Sequence, residues 1–198
     1  MNKESNTYIF IYSAVLVVIV AALLTAAALW LQPYQQRNKE NEERINILKA
    51  AGIADVNKDN TTQLFEQHCT ATLTLDENGN ISDNGELPLY VIDNQTSVIP
   101  MRGNGLWGPI WGYIGVASDG KTVVGAVFDH KSETPGLGAE ITTEKYQNQY
   151  KGKQLLKKDD TVTVEVDAIA GATRTSKGVE DMIEQTLKLY LPYFEGNE

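Results

Sequence analysis

The chain has 198 residues, 42% apolar and 22% charged, with a formal net charge of −9, which fits one ordinary globular domain with an appendage. Lys3 and Glu4 are the only charged residues up to position 31, so the whole negative balance falls on residues 32–198. An acidic domain of this kind lacks the clustered Lys and Arg that displace counterions from a phosphate backbone, which excludes nucleic acid as a partner.

Residues 9–31 form an uncharged run of 23 residues whose only polar side chains are Tyr12, Ser13, Thr25 and Trp30. As a helix the run reaches about 34 Å, enough for a hydrocarbon core of about 30 Å. Tyr8 and Trp30 stand near its ends, where amphipathic rings favour the membrane interface. Ala26-Ala27-Ala28 imitates a signal-peptide cleavage site. The run is longer than a usual h-region, however, and lacks a basic n-region, so an uncleaved anchor is the expectation. Pro33 is expected to stop this helix. Arg37, Lys39, Arg44 and Lys49 follow it, but they belong to a long domain, for which the positive-inside rule loses its hold.

A second helix is expected over residues 37–51, polar in its first half, with Ile45, Ile47 and Leu48 as its apolar contact and Gly52 as its stop. It would serve as a juxtamembrane connector over residues 32–56, after a tail (1–8) and a span (9–31). The soluble domain would then cover residues 57–198. Within it, residues 68–75 alternate as a strand. Cys69 in that strand reads as a small buried apolar residue rather than a nucleophile, and with only His68 and His130 beside it a His/Cys metal site is not expected. Asp76-Glu-Asn-Gly-Asn80 is a turn, and residues 89–92 a short strand. Residues 110–117 and 121–129 form a hairpin through Ser118-Asp119-Gly120. Residues 144–150 predict a short helix, 161–166 a strand, and 176–191 an amphipathic helix that buries Val179, Met182, Ile183 and Leu187 before Pro192 ends it. Strands outnumber helices and are joined as hairpins, so the class is α+β: an antiparallel sheet with flanking helices, plus one N-terminal transmembrane helix.

Three glycine-rich stretches carry the chemistry. Gly103-Asn-Gly-Leu-Trp-Gly-Pro-Ile-Trp-Gly-Tyr113 joins permissive backbone to indole surface, a mixture that suits a planar aromatic ligand and equally a Trp-anchored loop leading into a strand. Glu133-Thr-Pro-Gly-Leu-Gly138 puts an acid, a hydroxyl and a Pro-Gly turn after a strand, where they can meet the edge of a heterocycle or simply face solvent. Gly171-Ala-Thr173-Arg-Thr-Ser176 places three hydroxyls at a helix start. That is a phosphate site by its free N–H groups and dipole, or a plain Ser/Thr cap. No Walker or Rossmann fingerprint occurs, so a nucleoside triphosphate or nicotinamide site has no support.

Taken together, these stretches resemble one family. The span, the connector ending Ile45-Asn-Ile-Leu-Lys-Ala-Ala-Gly52, Gly-Leu-Trp-Gly-Pro-Ile, Glu-Thr-Pro-Gly-Leu-Gly and Gly-Ala-Thr-x-Thr-Ser, in this order, look like the C subunit of the bacterial sodium-translocating NADH:quinone oxidoreductase, within the wider group of FMN-binding domains. The resemblance implies an electron carrier in a multisubunit membrane complex that reduces ubiquinone and moves sodium outward. Its soluble domain would lie on the outer, periplasmic face of the inner membrane. It further implies FMN held covalently on Thr173 through a phosphoester, made from FAD by a separate flavin transferase that reads Asp-x-x-(Ser/Thr)-Gly-Ala-Thr. Asp167, Gly171, Ala172 and Thr173 match that pattern, while Ala170 stands where Ser or Thr is usual. Gly171, Ala172, Thr175 and Ser176 would surround the phosphate. Glu133, Thr134, Leu137 and Gly138 would border the isoalloxazine ring, with Leu106, Trp107 and Gly108 on another side. Two alternatives stand beside this reading. One is the G subunit of the related Rnf electron-transport complex, which the Leu106-Trp107 pair disfavours; the other is a membrane-anchored binding module without redox function.

Overall fold

A computed structural model describes residues 6–158 and 161–196. The chain divides into two compact units, one up to Glu42 and one from Glu43 onward. Helix α1, Asn6–Ala50, begins in the first and ends in the second. Its apolar part is exposed throughout, and among the described residues it is the one helix long and apolar enough to cross a membrane, by length and composition. Contrary to the sequence expectation, Pro33 lies inside this helix and does not stop it. A proline removes a single intrahelical hydrogen bond, and the Leu- and Ala-rich run before it and the Gln-, Arg-, Lys- and Glu-rich run after it are strong helix formers that carry the helix through.

The second unit is built on a five-stranded antiparallel meander in the order β1-β2-β3-β4-β5. Its strands are β1 Cys69–Leu75, β2 Leu87–Ile92, β3 Thr96–Asn104, β4 Pro109–Ala117 and β5 Val123–His130. Helix α2, Thr61–His68, precedes β1, so Cys69 opens the strand. There it is only half-buried, and burial pushes its thiol up, which keeps it protonated. The β2–β3 loop is Asp93, Asn94 and Gln95: Asp93 and Asn94 take positive φ (51° and 56°), and the Gln95 N–H donates to the Ile92 carbonyl at 3.0 Å. Strand β3 is not evident in the sequence because it contains Pro100. The β2 register ends at Val98, so Pro100 pairs only with Tyr113 of β4, and its missing N–H costs no ladder bond on the open side.

Between β5 and the short strands that follow lie a 3-10 turn, Gly138–Thr142, and helix α3, Glu144–Gln147. Short β6, Leu156–Lys158, pairs with β7, Thr161–Thr163. After β7 the chain runs without regular structure to helix α4, Thr173–Gly196, so the strand expected over 161–166 is only half as long. Helix α4 packs on one face of the large sheet. It buries Val179, Met182, Ile183, Leu187 and Tyr190 against Leu75, Leu89, Ile99, Met101 and Ile114. Pro192 lies within it instead of ending it, and the last turn is kept by Tyr193 and Phe194 packing on the core. A separate cluster of Ile47, Ala50, Ala51, Ile92 and Val98 seats the end of α1. Neighbours Val98 and Ile99 belong to different clusters, as the two faces of a strand require. Gly115 and Gly125 pair across β4 and β5 beneath that helix end. A Cβ on them would lie 2.3 and 2.9 Å from the Ala50 carbonyl oxygen.

Candidate functional site

Three stretches that are distant in sequence converge on one buried carboxylate. Glu133, 4% exposed, follows the end of β5. Its Oε1 accepts a hydrogen bond from the backbone N–H of Trp107 at 2.7 Å, and its Oε2 accepts one from the Thr175 hydroxyl at 2.6 Å. The first donor lies in the β3–β4 hairpin tip and the second in the first turn of α4. Glycines make room for the carboxylate: a Cβ on Gly105 would lie 2.6 Å from Oε1, and one on Gly138 would lie 2.3 Å from Oε2. His130 Nδ1 accepts from the Glu133 N–H at 3.1 Å, which puts the hydrogen of the neutral ring on Nε2.

The hairpin tip is tight. Gly105 N–H donates to the Gly108 carbonyl at 2.8 Å, and Ser132 Oγ donates to the Trp107 carbonyl at 3.1 Å. Trp107 is therefore held through both backbone polar groups while its side chain stays exposed beside exposed Leu106. A Cβ on Gly108 would lie 2.3 Å from Ser132 Oγ and would displace that hydroxyl from the Trp107 carbonyl.

At the start of α4 the chain reverses through Gly171 at φ +77°. The Ser176 hydroxyl accepts from the Ile169 N–H at 3.0 Å, and the Ile169 carbonyl accepts from the Ala172 N–H at 3.0 Å. These bonds sort the three hydroxyls of the motif. Thr175 and Ser176 are buried and engaged, whereas Thr173 is exposed and its hydroxyl makes no hydrogen bond among the described residues. Thr173 shares a groove with Asn104, Gly105, Leu106, Arg174 and Lys177. On its other side it borders a cleft lined by Tyr146, Tyr150, Val164, Val166 and Glu180. The Tyr146 and Tyr150 hydroxyls are 3.1 Å apart, and burial pushes both upward.

The Glu133–Gly138 stretch folds back on itself. The Thr134 carbonyl accepts from the N–H groups of Leu137 and Ala139, each at 3.1 Å, around Gly136 at φ +74°. Thr134 itself is exposed and its side chain joins none of the other motif residues in a hydrogen bond. Leu137, half-exposed, lies over Gly171, where a Cβ would come within 3.0 Å of its Cδ2. Thus Glu133, Gly138 and Thr175 form one cluster, Leu137 and Gly171 a second, and Leu106 and Thr173 face a common groove. Sequence reasoning misses Ser132, His130, Asn104 and Gly178. The one signal available is Gly178, a glycine inside an amphipathic helix, which marks a close approach; a Cβ there would lie 2.3 Å from the Asn104 carbonyl oxygen.

These residues fit a flavin mononucleotide. One free hydroxyl stands at the N-terminus of a 24-residue helix, where dipole and unpaired N–H groups favour a phosphate. Exposed Leu106, Trp107 and Leu137 offer apolar surface to a ring. Fold and site agree on the class: residues 105–188, from the hairpin tip into α4, match the FMN-binding domain family. The chain is 32% identical to the C subunit of the Na(+)-translocating NADH-quinone reductase from Parabacteroides distasonis, whose crystal structure superposes with a TM-score of 0.74 over 83% of this chain and 96% of that one. It is 26% identical to the protein of the same name from Pseudomonas aeruginosa, over 92% of this chain and 91% of that one. With the Haemophilus ducreyi protein of that name the identity is 27%, over 91% and 89%. The chain belongs to this family, the C subunits of the Na(+)-translocating NADH-quinone reductase.

Proposed function

We propose that this protein is the electron-carrying subunit of a sodium-pumping NADH:ubiquinone oxidoreductase, with FMN esterified through its phosphate to Thr173. The observation that carries the attachment site is the sorting of hydroxyls: Thr175 and Ser176 are spent on Glu133 and Ile169, leaving Thr173 alone exposed and free. When bound, FMN supplies reversible transfer of one or two electrons. Thr173 fixes the phosphate at the start of α4, where the helix dipole offsets its charge. Gly171, Ala172, Thr175 and Ser176 shape that end. Leu106, Trp107, Gly108, Thr134, Leu137 and Gly138 border the ring end, and Leu106 and Leu137 limit water over it. Glu133 stands behind this wall.

In this reading residues 9–31 anchor the chain in the inner membrane, residues 32–56 connect, and residues 57–198 form the flavin-carrying domain on the periplasmic side, where it exchanges electrons with other subunits. A flavin transferase makes the ester from FAD. Covalent attachment suits that compartment, where a dissociated cofactor would be lost. The names of the relatives support the quinone reductase over the Rnf complex, and the match to an FMN-binding domain weighs against a binding module without redox function.

The test is coexpression with a flavin transferase followed by denaturing electrophoresis. The wild-type band is expected to fluoresce as flavin and the Thr173→Val band to be dark. A fluorescent Thr173→Val band would place the ester elsewhere.

A further inference from the structure

We propose that Glu133 is a positioning residue, whose carboxylate locks the Leu106-Trp107 tip to the first turn of α4 and so sets the distance between the ring wall and Thr173. The part of this that concerns the ring rests on the flavin reading above; the lock itself does not.

The geometry leaves the carboxylate no free face for a ligand. Glu133 is 4% exposed. One oxygen is taken by the Trp107 N–H and abuts Gly105, and the other is taken by the Thr175 hydroxyl and abuts Gly138. The two bonds are 2.7 and 2.6 Å long. Their donors come from segments 26 and 42 residues away, so one side chain ties two elements that share no covalent neighbourhood. Each of those elements carries one side of the groove: Leu106 follows Gly105 in the tip, and Thr173 precedes Thr175 by half a turn. On the N-terminal side of Glu133, Ser132 donates to the Trp107 carbonyl and His130 accepts from the Glu133 N–H. The lock is thereby tied to the end of β5, which is paired with β4.

The chemistry also states which substitutions preserve it. The Trp107 N–H can only donate, so it needs an oxygen at Oε1. The Thr175 hydroxyl can rotate and accept instead. A glutamine at 133 therefore satisfies both partners, with its oxygen toward Trp107 and its NH2 toward Thr175. Alanine satisfies neither. Valine at 175 keeps the volume of threonine and removes one half of the lock.

The test is hydrogen–deuterium exchange on the full chain in detergent, read on the peptide containing residues 105–108. It is run in the flavin-bearing form and again in a flavin-free Thr173→Val background. Glu133→Ala and Thr175→Val are both expected to speed exchange of the tip by about tenfold or more, the loss of a buried hydrogen bond that leaves its partner unsatisfied, and Glu133→Gln to keep it within about threefold of the parent. The Thr175 variant decides the matter, because the Thr175 hydroxyl is bonded to Glu133 and not to the tip. Unchanged exchange at residues 105–108 in Thr175→Val, in the flavin-free background, overturns the lock whatever the fate of the flavin reading. Should Glu133→Ala not fold, Thr175→Val and Glu133→Gln still give this answer. In the flavin-bearing form, the visible circular dichroism of the ring is expected to change in Thr175→Val and to recover in Glu133→Gln. If Glu133→Gln instead changes the ring spectrum most while tip exchange stays slow, Glu133 contacts the flavin directly and the positioning role is wrong. A wild-type chain without covalent flavin would defeat the functional reading and leave the exchange result to decide the lock on its own.

Discussion

Replacing Gly178 by alanine sets two known effects against each other. In an exposed helix interior this change gains about 1 kcal/mol from propensity. Gly178, however, is buried in α4 where the helix crosses the end of β3, and the new Cβ would lie 2.3 Å from the Asn104 carbonyl oxygen and 3.4 Å from the Gly105 Cα. Ordinary contact requires the carbonyl to retreat by about 1 Å. The obstacle is backbone, so no rotamer change relieves it. Overpacking of this kind costs about 1–3 kcal/mol. Because the clash is severe, the upper part of that range applies, and the net expectation is a loss of about 1–2 kcal/mol. Displacement of Asn104 and Gly105 also moves the Leu106-Trp107 tip away from Thr173, so ring circular dichroism should change along with stability. The assay is urea unfolding of the detergent-solubilised chain, with Gly196→Ala as control, since a Cβ at Gly196 meets nothing. An increase in stability on Gly178→Ala would mean that α4 does not approach β3 this closely.

Ser176→Ala removes the acceptor for the Ile169 N–H and is expected to cost about 1–2 kcal/mol. It should also lower the fraction of chain modified at Thr173, as read by intact mass; full modification at unchanged stability would contradict the role given to Ser176. Burial pushes Tyr190 up to about 12 from an ordinary 10 and moves Tyr90 and Tyr150 in the same direction. The folded state therefore keeps protons that the unfolded state loses, so stability is full below pH 10 and declines as pH rises through 12. The urea midpoint should fall over that interval, less steeply in Tyr190→Phe, and a flat midpoint would refute the assignment. Val20→Arg puts a charge at the centre of the exposed apolar run, at an insertion cost of about 3 kcal/mol. The carbonate-resistant membrane fraction should drop, and an undiminished fraction would argue that this run is not the anchor.

What can be read from the sequence is local. The β4–β5 hairpin announces itself through alternation on either side of Ser118-Asp119-Gly120, and α4 through its apolar stripe, because both depend on neighbours within a few residues. Strand β3 is hidden because Pro100 argues against a strand unless one knows that β2 stops short of it. Pro33 and Pro192 mislead in the opposite way: a local helix breaker is overridden by good helix on both sides or by aromatic packing beyond it. The three glycine-rich stretches are visible as chemistry, and the choice among Thr173, Thr175 and Ser176 comes from resemblance. Occupancy of the hydroxyls, which separates them physically, depends on Glu133 and Ile169 and is set by tertiary contact. Nor does anything near Glu133 in sequence reveal that its two oxygens bond Trp107 and Thr175.

The central claim, a flavin ester on Thr173, is tested most directly by intact mass followed by peptide mapping of the chain coexpressed with a flavin transferase. The account predicts a mass gain of one FMN less one water, confined to the peptide bearing Thr173 and absent in Thr173→Val. A chain of unmodified mass, or the same adduct on a peptide lacking Thr173, would contradict it.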